Sequence, residues 1–160
     1  MKLICFKATG SLFDVECRDS STGDGAFMAV SPNVAGSALA DLKDSFFVKT
    51  LFSSTGRFSF YGQPTDIKVK SSVMKGNYRV LDVGFSTLSQ STQTEIPRKA
   101  KIIATIPSGS TQAVMLVGSA SALRWKKGAD KQVLSTIDSF KAVPAPQTSM
   151  KIRAKDSRSS

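Results

Sequence analysis

The chain has 160 residues, with 22 Lys and Arg against 12 Asp and Glu, a net charge of +10, and no histidine. Without histidine, Ser/His and Cys/His nucleophile pairs and His-based zinc sites are excluded, and two cysteines are too few for a thiolate zinc site. The charge excess favours an acidic partner, whether nucleic acid, an anionic membrane face or an acidic protein surface, and carries no information about fold.

A chain of this length folds by default as one domain and can bury roughly 70% of its extended-chain surface. No run reaches the ~20 apolar residues that span a bilayer. The opening MKLICFKATG has too short an apolar core for a signal peptide, so any organelle-targeting segment is expected outside this sequence. Residues 3 to 8 and 11 to 17 read as short strands. In the second, Phe13, Val15 and Cys17 form the face expected to be buried, opposite Leu12, Asp14 and Glu16. Cys5 and Cys17 are expected as two buried free thiols, with a bridge between strands as the alternative. Residues 19 to 25 are turn chemistry, Ala26 to Val30 is a strand, and Ser31-Pro32-Asn33 ends it.

Ser37 is the predicted N-cap of a first helix over 38 to 50, with Leu39, Leu42 and Phe46 at helical spacing. Residues 57 to 61, RFSFY, alternate like a strand, with Phe58 and Phe60 inward. Ile67 to Met74 is a strand with Ile67, Val69 and Val73 inward, and Lys75-Gly76-Asn77 turns the chain. In Tyr78 to Leu88, the residues Arg79, Leu81, Val83, Phe85 and Thr87 make the buried face. A polar loop spans 89 to 95. Lys99 to Ile106 and Gln112 to Leu123 pair through Pro107-Ser108-Gly109-Ser110. A second helix follows over 128 to 140, with Ala129, Val133, Ile137 and Phe140 as its apolar stripe. Pro144 and Pro146 bar its continuation. About six strands with adjacent pairings and two helices predict an α+β domain on a central antiparallel sheet over residues 1 to 143. Residues 144 to 160 form a basic tail expected to be disordered.

The search for chemistry finds no phosphate-cradling loop. Asp14, Glu16, Asp19 and Asp24 are the candidates for oxygen ligands to a metal such as Ca²⁺, although the calcium-loop pattern is missing. Phe58, Phe60 and Tyr61 beside Arg57 imitate a base-stacking module, but their alternation favours core, and no nucleic-acid partner is expected. The basic residues say more. A hairpin centred on Ser108 and Gly109 sets Arg98 opposite Ser119 and Lys101 opposite Leu116. Arg98, Lys99 and Lys101 then converge with Arg124, Lys126, Lys127 and Lys131 as a docking patch for an acidic surface. Trp125, the only tryptophan, either anchors that interface or caps the core under the last helix.

The segment LRWKKGADKQVLSTIDSFKA closely resembles the C-terminal signature of the PsbP family, the lumenal extrinsic proteins of photosystem II and their PsbP-like and PsbP-domain relatives. The matching features are Arg124-Trp125, the basic turn Lys126-Lys127-Gly128, and a helix running to Ser139-Phe140. FMAVSPNVAGSALADLKDSFF resembles the family's strand, Ser-Pro turn and Asp-Leu helix. The likeness covers residues 12 to 141 and is densest in the last forty of them.

It implies an α-β-α sandwich and a chloroplast protein delivered to the thylakoid lumen. It also implies non-catalytic binding or assembly work, peripheral to the membrane, on photosystem II or a related complex, and the chain is expected to be a monomer. Calcium is the cofactor it makes possible. The N-terminal segment and first strand used at the oxygen-evolving cluster are expected to be missing or altered, and histidines implicated in metal binding in some members have no counterpart here. A divergent PsbP-domain protein is therefore the expectation. A small-ligand or Ca/Mn-binding module, and a small-GTPase or nucleic-acid binder of the same architecture, are the alternatives.

Overall fold

In the computed structural model, residues 15–59, 62–89 and 91–142 are described, together with the backbone of 3–7. One sheet of seven strands organises them, in the order β1-β2-β3-β7-β6-β5-β4, and every neighbouring pair is antiparallel. The strands are β1 (Leu3–Lys7), β2 (Val15–Asp19), β3 (Gly25–Asn33), β4 (Thr65–Lys75), β5 (Tyr78–Leu88), β6 (Glu95–Thr105) and β7 (Gln112–Ser121). The helices are α1 (Asp44–Leu51), the single turn α2 (Ala122–Arg124) and α3 (Asp130–Asp138). The fold is α+β, as the residue pattern predicts, with seven strands in place of about six.

Alternation along the central strands assigns the two faces. Leu81, Val83 and Phe85 of β5, Ala100 and Ile102 of β6, and Met115 and Val117 of β7 pack with Phe47 and Leu51 of α1. Their neighbours in sequence, Val80 and Ile103, pack with Val133 and Ile137 of α3. The helices thus lie on opposite faces, giving three layers. Phe27, Phe52, Phe58 and Phe85 form an aromatic cluster on the α1 side, with centroids 4.6 to 5.3 Å apart. No helix among the described residues is long and apolar enough to cross a membrane.

Several expectations are corrected. Helix α1 begins at Asp44, so Ser37 caps nothing; Ala35 and Gly36 both have positive φ, and residues 37 to 43 make successive turns. Leu39 and Leu42 are buried without being helical. Their carbonyls are satisfied from another strand: the Arg79 guanidinium donates to the Leu39 carbonyl at 3.2 Å and to that of Leu42, and pairs with Asp44 at 2.7 Å. That stretch needs no helical hydrogen bonds of its own.

RFSFY is no strand. Arg57–Ser59 is a 3₁₀ turn that places Phe58 in the aromatic cluster, and Phe60 and Tyr61 lie outside the described residues. Val73, read as inward, is 47% exposed. The β4–β5 register shifts between Val69 and Ser71, and one extra residue there turns everything beyond it to the other face.

In β2 the expected alternation is absent: Val15 is 46% exposed, Glu16, Cys17 and Arg18 are all half-buried, and only Asp19 is buried. Phe13, Leu12 and Asp14 lie outside the described residues. Cys17 is disulfide-bonded, not a free thiol; Cys5, the only other cysteine, stands opposite it in the β1–β2 register. The second helix starts at Asp130, because Gly128, within Trp125–Ala129, takes φ 106° and kinks the chain there. The tail from 144 onward also lies outside the described residues.

Candidate docking surface

The β6–β7 pairing decides where the predicted basic patch goes. Arg98 faces Ser121 and Lys101 faces Gly118, two residues further along β7 than a hairpin centred on the turn requires. Residues on β6 alternate between faces, so Arg98 shares the α1 side with Ala100 and Ile102, while Lys99 and Lys101 share the α3 side with Ile103. The predicted patch is therefore split by the sheet.

Arg98 is no docking cation. It is 8% exposed and its guanidinium pairs with Asp24 at 3.3 Å and donates to the Gly23 carbonyl at 3.0 Å. Burial pushes its pKa below the ordinary guanidinium value, and Asp24 pulls it back toward the charged form. Asp24 also pairs with Arg124 and accepts the Ser121 backbone N–H at 3.0 Å. One carboxylate thus ties the entrance of β3 to β6, β7 and α2. Lys101 is taken by Asp82 at 2.9 Å. Three of the seven predicted cations are therefore engaged within the fold. Lys126, Lys127 and Lys131 are exposed and Lys99 is half-buried. None of these four takes part in an ion pair among the described residues.

The carboxylates considered as metal ligands are likewise occupied. Glu16 pairs with Arg57 and lies 3.9 Å from Arg18. Asp19 accepts the Ser21 hydroxyl at 2.6 Å and the Ser21 backbone N–H at 2.9 Å, which holds its pKa below the usual value. Asp14 is outside the described residues. Among those described, no group of three or more His, Cys, Asp or Glu is arranged to hold a metal ion.

What the residue pattern did not single out is on the same face as Lys99. Lys68 of β4 pairs with Gly84 of β5, and Gly84 pairs with Lys99 of β6, so two lysines flank a glycine on one rung. Lys70, at the β4 bulge, reaches over the same glycine; a Cβ at Gly84 would come within 3.1 Å of its Cε. Helix α3 covers the far end of these strands at Val80 and Ile103 but leaves this end open. The result is a depression of about 200 Å³ lined by Lys68, Lys70, Lys99 and Ser86, with one carboxylate, Asp66, also on its wall. A second hollow of about 270 Å³ adjoins it, sharing Lys70 and Lys99 and walled by Trp125.

The Lys99 ammonium sits 5.9 Å from the Trp125 ring centroid, within cation–π range. Trp125 packs against the Val80–Ile103 cluster with one side, which is the core-capping role considered for it, and borders the hollow with the other. The missed signal lay in β4: Lys68 alternates with Ile67 and Val69, which packs it on the face opposite the core. Comparison with protein-family models and with curated proteins returns no match.

Proposed function

We propose that the chain is a non-catalytic accessory or assembly protein of the thylakoid lumen that docks on photosystem II or a related photosynthetic membrane complex through its basic sheet face. The observation that carries this reading is the segment Arg124–Phe140. Its sequence resembles the PsbP signature, and in the fold it supplies both the helix closing the core and the tryptophan wall of an exposed, lysine-lined hollow. The three-layer α+β architecture agrees with the fold that the resemblance implies. A chain without histidine lacks the usual general base, which supports binding over catalysis. The Cys17 disulfide suits a compartment that keeps thiols oxidised.

Docking through exposed lysines would be steered by charge and weakened by salt, with little contribution from any single cation. The test is affinity purification of the tagged chain from gently solubilised thylakoids at low salt. Recovery of one defined photosynthetic complex, lost as salt is raised, is expected. Correct lumenal localisation with no such complex recovered would end this reading.

A further inference from the structure

We propose that the sheet-face depression binds an extended acidic segment of a partner protein, anchored by one apolar side chain beside Leu123. The proposal rests on the docking reading above and adds where the contact lies and what chemistry it takes. Leu123 is 64% exposed, the most exposed of the large hydrophobic residues described. With Ile96, Pro97 and Ala122 it lines an apolar cleft of about 350 Å³, edged by Lys126. Pro97 and Ala122 also border the lysine depression, which in turn shares Lys70 and Lys99 with the Trp125 hollow. Three hollows therefore run together as one path: an apolar cleft, a lysine channel floored by Gly84, and an indole wall.

The chemistry follows from that order. The apolar cleft can desolvate one side chain, which is where binding energy concentrates at an interface. Lys68, Lys70 and Lys99 outnumber the one carboxylate lining their depression, Asp66, and none of them is ion-paired among the described residues, so their charges are open to an incoming Asp or Glu. A concave path with its apolar spot at one end suits a chain segment. It does not suit a bilayer, which one protruding leucine would hold only weakly. Nor does it suit single-stranded nucleic acid, because of the two aromatic residues on the path Phe85 is buried and Trp125 is already covered by Lys99.

Trp125 is the only tryptophan and lines the path, so its fluorescence reports occupancy. The experiment titrates the full chain with a short synthetic Asp/Glu-rich peptide carrying one leucine, at low salt. It compares wild type with Lys68→Glu/Lys70→Glu, with Leu123→Ser, and with Lys43→Glu/Lys49→Glu. The last pair makes the same charge change on exposed residues at α1, across the sheet. All altered residues are exposed, and thermal melts check that each variant folds. The first two variants should each raise Kd by about tenfold, and the third should match wild type. Equal loss in both charge-reversed pairs, or no saturable change in Trp125 emission, would overturn the proposal. So would binding to phosphatidylglycerol vesicles or to a single-stranded oligonucleotide in place of the peptide.

The outcome is separable from that of the docking reading. If a photosynthetic complex is recovered equally well by Lys68→Glu/Lys70→Glu, the sheet-face site is wrong and only the photosynthetic partner of that reading stands. If the peptide binds selectively but no such complex is recovered, the site stands and the choice of partner is wrong.

Discussion

Arg98 and Asp24 meet at 3.3 Å with only 9% and 12% of their side chains exposed, at the open end of the β6–β7 hairpin. The pair turns a residue that reads as a surface cation into a brace between β3 and β6, and Asp24 extends that brace to Arg124 and the Ser121 N–H. Removing one partner of a buried pair leaves the other charge desolvated and uncompensated. Arg98→Ala should destabilise the fold by about 3 kcal/mol, read from urea unfolding. The same substitution at exposed Lys126 should fall within ~0.5 kcal/mol of wild type. Equal effects would mean that Arg98 is not structural.

The Arg79 guanidinium holds residues 37 to 43 in their turns by collecting the Leu39 and Leu42 carbonyls and pairing with Asp44, with the Phe47 ring 5.2 Å away. Arg79→Met keeps the stem but removes every donor. It should lower stability by about 2 kcal/mol and speed amide exchange in α1, measured by hydrogen exchange. Protection in α1 that matches wild type would contradict the role assigned to Arg79.

Two glycines mark close approaches, one between the sheet and α3 and one between neighbouring strands. At Gly118 a Cβ would stand 2.8 Å from Val133 Cγ1, the end of a side chain on α3 that can shift. At Gly25 it would run into the backbone of β2, at the Cys17 carbonyl and 2.8 Å from the Arg18 Cα, where nothing can yield. Gly118→Ala should cost about 1–2 kcal/mol by overpacking. Gly25→Ala should cost more, and thermal melts of both variants give the ranking.

The depressed pKa of Asp19 has a defined sign. Its hydrogen bonds from Ser21 favour the charged carboxylate, so the unfolded chain binds the proton more readily. The stability this contributes is full above the ordinary value of 3.8 and is lost as pH falls through the lower folded-state value. Asp19→Asn should flatten the acid limb of a stability-against-pH curve below about pH 4 and leave it unchanged near neutrality apart from a constant offset. An identical acid limb in both proteins would rule out that linkage.

Periodicity carried the architecture well where strands are long. The alternation in Tyr78–Leu88 assigned Leu81, Val83 and Phe85 to the buried face, and the apolar stripe assigned Val133 and Ile137 to the core. It failed where the determinant lies far along the chain. Nothing within residues 37 to 43 announces that Arg79 will take their carbonyls, so Leu39 and Leu42 read as helix. A five-residue alternation cannot distinguish a strand from a 3₁₀ turn that inserts Phe58 into an aromatic cluster.

The basic patch was legible only in part. Counting cations near one hairpin end ignored that adjacent residues on β6 point to opposite faces. Arg98 is in phase with Ala100 and Ile102, and that parity alone places it among core neighbours. Lys68 and Lys70 escaped notice because their approach to Lys99 depends on the β4–β5–β6 register across Gly84 and on the bulge after Val69. Neither can be read from β4 by itself.

The proposed association runs through the sheet face bearing Lys68, Lys70 and Lys99. The most direct measurement is low-salt rebinding of the purified chain to washed thylakoid membranes, comparing Lys68→Glu/Lys70→Glu with Lys43→Glu/Lys49→Glu. The account predicts saturable binding that the first pair weakens by about tenfold and the second leaves intact. Equal binding by both variants, or binding lost equally in both, would contradict it.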